Sequence, residues 1–195
     1  MLLRQARQRL LKNKLYQRFT TQSLRELAVS RYYMVHMNTG TTLSISTASS
    51  EETEKLGEHI GEKLQGHEVI ELISDLGGGK TTLTRGIAKG FGSTDKVSSP
   101  TFTVNKEYSS GNKRIVHYDF YRLENAGLLE FELAESLQDP TTVTIVEWAD
   151  IVHDVLPVDR VTIRISSTGD DSRNFSISIP DNLSGLVHYL SEKHN

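Results

Sequence analysis

The residues best suited to chemistry form one stretch, Ser74-Asp75-Leu76-Gly77-Gly78-Gly79-Lys80-Thr81-Thr82. Three glycines followed by a lysine and a threonine suit the binding of an anion, and of nucleotide phosphates above all. Glycine lets backbone N–H groups turn inward around an anion with no Cβ in the way. A helix starting near Lys80 would add its unpaired N–H groups and the positive end of its dipole. Lys80 would then reach the β- and γ-phosphates, and the Thr81 hydroxyl would hold Mg²⁺. Residues 75–82 are therefore the expected nucleotide-binding segment. The pattern departs from a standard phosphate loop at one point, since a glycine is usual six residues before the lysine and Ser74 stands there. Serine can open the turn if its φ is not positive. The competing reading is a glycine-rich turn that binds nothing.

Such a loop needs a strand before it and a helix after it. Residues 68–73, Glu-Val-Ile-Glu-Leu-Ile, read as a buried strand, and residues 83–89 carry apolar side chains at helical spacing. Two further strands end in acids. Residues 113–119 lead to Asp119, and the β-branched run 141–146 leads to Glu147. An acid at such a strand end is where the partner of a phosphate-bound Mg²⁺ would sit. Asp119 and Glu147 compete for two roles, ligand of Mg²⁺ or its water, and activator of the attacking water. The turn Ser98-Ser99-Pro100-Thr101 lies after the loop helix, where a hydroxyl often senses the terminal phosphate, so Ser99 or Thr101 is a switch candidate. The alternative is an ordinary Ser/Thr turn before a strand running through Tyr108. His117 reads as a structural strand residue and Trp148 as packing.

The remaining elements frame that core. Residues 41–46 suit a short strand. Ser49 or Ser50 would cap a helix to about Leu64, with Glu51, Glu52 and Glu54 at its positive end and Leu56, Ile60 and Leu64 on one face. Gly90-Phe91-Gly92 is a helix stop. Ser109-Ser110-Gly111-Asn112 suits a hairpin turn. Residues 125–137 read as an acidic amphipathic helix with Leu128, Leu129 and Leu133 inward. Residues 160–166 and 173–179 read as a hairpin appended to the core, and Asp181 would cap a last helix to about Leu190.

Composition bounds the possibilities. The 195 residues fit one domain with additions. The absence of cysteine excludes disulfides and thiolate chemistry. No apolar run approaches the ~20 residues of a membrane span. The net charge of −3 hides an asymmetry, because residues 1–37 hold eight basic residues and one acid and the rest is strongly acidic. An acidic body is poorly suited to grip nucleic acid directly. The basic segment, with leucines at helical spacing, suits an organelle presequence, a basic arm or an upstream extension. The expected organisation is an extension over 1–40, poorly ordered, and a single P-loop ATPase domain of α/β class over 41–195. ATP is favoured over GTP, because the nearest look-alike of a guanine-reading loop, Asn105-Lys106-Glu107-Tyr108, ends in tyrosine and lies too close to the phosphate loop.

Taken in order, Asp75-Leu76-Gly77-Gly78-Gly79-Lys80-Thr81-Thr82, Arg85-Gly86, Ser99-Pro100-Thr101-Phe102, His117-Tyr118-Asp119-Phe120-Tyr121-Arg122-Leu123 and Val146-Glu147-Trp148-Ala149 resemble the TsaE (YjeE) family. The likeness spans roughly residues 43–190, and its later blocks are more specific than the phosphate loop. It implies a P-loop NTPase fold whose central sheet mixes parallel and antiparallel strands between helices. It also implies an ATPase of tRNA threonylcarbamoyladenosine modification that resets a TsaB–TsaD complex between turnovers, touches tRNA only through that complex, and works in the cytoplasm away from membranes. Organelle import through the basic N-terminus is the alternative location. The resemblance assigns Thr81 and Glu147 to Mg²⁺, Lys80 to the phosphates, Asp119 to catalysis through water or Mg²⁺, and segment 99–101 to switching. It places residues around Glu51 and Gly169 at the adenine. A small-molecule kinase and a nucleotide-gated binding protein without turnover are the rival readings.

Overall fold

The computed structural model describes residues 40–194; the basic segment and the expected extension over 1–40 lie almost wholly outside the described residues. Seven strands form one sheet: β1 Gly40–Thr47, β2 Val69–Ile73, β3 Asn105–Ser110, β4 Lys113–Asp119, β5 Thr142–Glu147, β6 Val161–Ser167 and β7 Arg173–Pro180. Their order across the sheet is β1-β7-β6-β2-β5-β4-β3. The middle is parallel, β6 with β2, β2 with β5 and β5 with β4. The flanks are antiparallel, β1 with β7, β7 with β6 and β3 with β4. The sheet is thus mixed, as the resemblance implied. The hairpin of β6 and β7 is not an appendage, however. β6 lies directly against β2, and β7 carries β1 on its outer side, so the hairpin together with β1 makes up three of the seven strands.

Burial explains the central position of β2 and β5. Every residue of β5 is buried, as are the first four of β2. Parallel strands covered on both faces read this way. Alternation sends Ile70, Leu72, Ile115, Ile145 and Ile163 into a core shared with Leu56, Ile60, Leu83 and Ile87 from two helices, α1 Ser50–Gly61 and α2 Lys80–Gly90. Val69, Val116, Tyr118 and Val146 point to the other face, where Leu133 of α3 Leu129–Gln138 covers them. A last helix, α4 Ser184–His194, adds Leu186 and Leu190 to the first core. Among the described residues no helix is long and apolar enough to cross a membrane.

Helix ends follow local chemistry. Ser49 caps α1, its hydroxyl accepting from the Glu52 N–H at 3.2 Å, while the Glu52 carboxylate accepts from the Ala48 N–H at 2.7 Å. Regular α-helix ends at Gly61 rather than Leu64, because the next turns tighten to Lys63 N–H to Ile60 O and Leu64 N–H to Gly61 O. Helix α3 begins four residues later than residue 125. Gly127 has a φ of 53° and turns the chain first, which leaves Leu128 80% exposed rather than inward. Strand β3 likewise starts only at Asn105, after a turn over 101–103.

Helices α1 and α2 approach with almost nothing between their backbones. A Cβ on Gly57 or Gly61 of α1 would lie 2.3 Å from Leu83 O or 2.1 Å from Ile87 O. A Cβ on Gly86 or Gly90 of α2 would lie 2.0 Å from Glu54 O or from Glu58 O. Two glycines four residues apart on each helix thus make the contact, and α2 is the helix that opens at Lys80.

A carboxylate fixes the entry to β5. Asp139 accepts from the Thr141 N–H at 2.9 Å, from the Thr141 and Thr142 hydroxyls at 2.7 and 2.8 Å, and from Arg114 at 3.2 Å. The Thr141 N–H leads among the causes that pull its carboxyl from an ordinary value near 3.8 down to about 2. The folded value is the lower one, so the stabilisation is present above 3.8 and is lost as pH falls through about 2. Asp139→Asn is expected to lower Tm at neutral pH. The difference from wild type is expected to close between about pH 4 and pH 2, which thermal melts across that range measure.

Candidate functional site

The parallel strands deliver their carboxyl ends to one edge of the sheet, where ligands of open α/β sheets collect. From β2 the chain runs straight into residues 74–79. Gly77 and Gly79 have φ of 77° and 104°, a region that side-chain-bearing residues adopt with strain, and α2 starts at Lys80. Beside it, β4 ends at Asp119 and β5 at Glu147, and these two residues are register partners. A cavity of about 230 Å³ opens there, lined by Leu76, the three loop glycines, Lys80, Thr81, Thr82, Ser99, Thr101, Asp119, Glu147 and Trp148.

Lys80 is the buried cation at its floor, 6% exposed. Its Nζ donates to Ser74 O at 3.3 Å, Ser74 Oγ at 3.1 Å and Asp75 O at 3.3 Å, and lies 3.6 Å from Glu147 Oε2. The other Glu147 oxygen, Oε1, is 2.9 Å from Nε2 of the fully buried His117. The Nε2–H tautomer is the one that donates to this carboxylate. Asp119 is tied differently. Its Oδ1 accepts from the Tyr121 N–H at 3.0 Å and its Oδ2 from the Thr101 hydroxyl, which also lies 2.6 Å from Ser99 Oγ.

Two residues beside the cavity carry unusual backbones. Val104, β-branched, has a φ of 67°, held because its N–H donates to Pro100 O at 2.7 Å and its C=O accepts from the Asp119 N–H at 2.8 Å. Trp148 has a φ of 55°, which turns its ring to the cavity, 5.1 Å from Lys80 Nζ and 4.9 Å from the Tyr121 ring. Strain of this kind concentrates at functional sites.

The structure therefore brings together residues 76–82, Ser99, Thr101, Asp119 and Glu147. Asp75 contributes its carbonyl to Lys80, with its side chain outside the cavity lining. Glu51 and Gly169 do not line the cavity. Glu51 is exposed in the first turn of α1. Gly169, exposed in the turn between β6 and β7, is linked to the loop through Arg173. That guanidinium donates to Gly78 O at 3.1 Å and, across the turn, to Gly169 O, Asp170 O and Ser172 O at 3.2, 3.0 and 2.8 Å. Sequence reasoning passed over three residues. His117 holds Glu147, a link visible only once β4 and β5 are in register. Trp148 lines the cavity rather than only packing. Arg173 reads in sequence as no more than the first residue of a strand.

The family model described as "Threonylcarbamoyl adenosine biosynthesis protein TsaE" matches residues 47–175. A Bacillus subtilis tRNA threonylcarbamoyladenosine biosynthesis protein TsaE is 37% identical over 140 residues, covering 70% of this chain and 85% of the relative. The Haemophilus influenzae protein of the same name is 36% identical over 115 residues, 59% of this chain and 72% of the relative. The crystal structure of Bacillus subtilis YdiB superposes with a TM-score of 0.65 at 34% identity, over 80% of this chain and 98% of that one.

Proposed function

This chain belongs to the TsaE family of tRNA threonylcarbamoyladenosine biosynthesis, and on that premise we propose that it is a Mg²⁺-dependent ATPase that resets a TsaB–TsaD assembly between turnovers. The observation that carries the reading is the Lys80 ammonium, buried inside a glycine-rich loop and facing a buried carboxylate. A buried cation needs close partners. Lys80 has three contacts of 3.1–3.3 Å and an ion pair of 3.6 Å, all longer than the ~2.7–2.9 Å of a charge-assisted bond. A phosphate oxygen would give it a shorter, charged partner. The loop N–H groups and the start of α2 favour the same anion. The residues present thus fit a nucleotide and its metal ion.

In this reading Lys80 would hold the β- and γ-phosphates together with the N–H groups of Gly77 and Gly79, while the Gly78 N–H closes the loop onto Asp75 O. The Thr81 hydroxyl and the Glu147 carboxylate would hold Mg²⁺, with His117 keeping that carboxylate in place at 2.9 Å. Held there, the ion would supply positive charge against the negative charge that develops on phosphoryl transfer. Asp119 orients the attacking water. Its carboxylate oxygens keep lone pairs beyond those taken by the Tyr121 N–H and the Thr101 hydroxyl, so the bond to Thr101 can persist and tie segment 99–104 to that water. The Val104 strain supports a switching role for the segment.

Partner dependence has its own support. Among the described residues that line the cavity Lys80 is the one cation, and Arg173 spends its Nε and Nη1 on backbone carbonyls. A partner that adds positive charge at the transferring group gains about 10³–10⁵ in rate in other phosphoryl-transfer enzymes. Phosphate release from ATP is expected to be slow for the isolated protein and faster with TsaB and TsaD, with tRNA engaged only through them. Equal rates with and without the partners overturn the resetting role. ATP uptake with no phosphate release in any assembly favours a nucleotide-gated binder, and phosphate recovered on a metabolite favours a kinase.

A further inference from the structure

The feature of the loop that departs from the usual pattern is Ser74, and its side chain points into the loop. A Cβ on the buried Gly78 would sit 2.5 Å from Ser74 Oγ and 2.8 Å from Ser74 Cβ. The hydroxyl therefore fills space that the loop encloses. It donates to Asp75 O at 3.0 Å and accepts from Lys80 Nζ at 3.1 Å. An ammonium has three N–H groups. Ser74 O, Ser74 Oγ and Asp75 O together engage all three. With glycine at position 74 the two carbonyls would remain, and the third N–H would be left with the longer contact to Glu147 at 3.6 Å.

We propose that the Ser74 hydroxyl competes with phosphate for the third N–H of Lys80, so that this chain grips nucleotide more weakly than the same loop would without that hydroxyl. The inference rests on the nucleotide reading of the site. Before Lys80 can bond a phosphate oxygen it must give up one loop partner. The hydroxyl can be released at little cost, because it keeps its bond to Asp75 O and is a weaker acceptor than a peptide carbonyl, whereas Ser74 O would give up the donor it has in Lys80; Asp75 O would keep the Gly78 N–H and the Ser74 hydroxyl. Ser74 thus sets the affinity of the loop while leaving Lys80 correctly aimed when no phosphate is present.

The test compares ADP and ATP binding to the full chain, by calorimetry with Mg²⁺, for wild type, Ser74→Ala and Ser74→Gly. Both variants are expected to bind about 3–10-fold more tightly, part of the strength of a hydrogen bond to a charged group. The pair separates chemistry from stiffness. Alanine keeps the Cβ of serine and only glycine loosens the loop, so an effect acting through loop entropy alone shifts the glycine variant and leaves the alanine variant at the wild-type affinity. Loss of the hydroxyl moves both the same way. A shift in only one variant, opposite shifts, or unchanged or weaker binding in both variants while wild type binds, overturn the role of Ser74 alone. Failure of all three proteins to take up nucleotide overturns the nucleotide reading itself.

Discussion

Lys80→Ala is expected to lower ATP turnover by about 10²–10³-fold, measured as phosphate release in the presence of TsaB and TsaD. The magnitude is that of removing one preorganised group aimed at developing charge in a closed site. The geometry also predicts a side effect. Without the ammonium, Glu147 loses its cationic neighbour at 3.6 Å, and the carbonyls of Ser74 and Asp75 lose a donor. Lys80→Met, which keeps the volume of the chain, separates that structural loss from the chemical one, and both variants should melt cooperatively. Glu147→Ala should differ in kind, its residual turnover no longer responding to Mg²⁺ concentration. Wild-type rates in Lys80→Ala and Lys80→Met would remove the phosphate loop from the mechanism.

Gly86→Ala should destabilise the protein by about 3 kcal/mol through overpacking. For a domain of this size that lowers Tm by roughly 6–12 °C. The sign is informative, since alanine in place of glycine within a helix is ordinarily favourable by about 1 kcal/mol. Here the new methyl would meet Glu54 O at 2.0 Å, a backbone atom of α1 that no rotamer change can clear. The helices must separate, and Leu56, Ile60, Leu83 and Ile87 between them and the sheet lose their packing. Gly185→Ala provides the contrast, because nothing lies within 4 Å of a Cβ there. A Tm in Gly86→Ala equal to or above wild type would show that the two backbones are not in contact.

The elements that sequence reveals are those whose cause is local. The run Val69–Ile73, the glycine loop and the helix behind it follow from apolar patterning and from the types of residues 74–82, and each lies where it reads. Asp119 and Glu147 are legible because an acid closes each apolar strand. What stays hidden is set by pairing between distant segments. The bond from His117 to Glu147 depends on β4 and β5 lying in parallel register, which neither strand specifies alone. The hairpin of β6 and β7 reads as an appendage because its alternation reveals a half-exposed ribbon and not its neighbour, β2. Leu128 reads as an inward residue on spacing, but the left-handed turn at Gly127 delays the helix. Gly57, Gly61, Gly86 and Gly90 look like weak helix positions until the second helix is laid against the first.

The Arg173 guanidinium joins Gly78, before α2, to three carbonyls of the turn that ends β6 and starts β7. Ninety-five residues separate the two ends of that brace. Peptide rotation at Gly78 is therefore geared to the outer ribbon, and the ribbon in turn carries β1 at the sheet margin. A movement that begins at the Gly78 peptide thus has a hydrogen-bonded lever to that ribbon. Shortening or lengthening the turn over 168–172 would slacken that lever, altering the grip of the loop without touching a single residue that lines it.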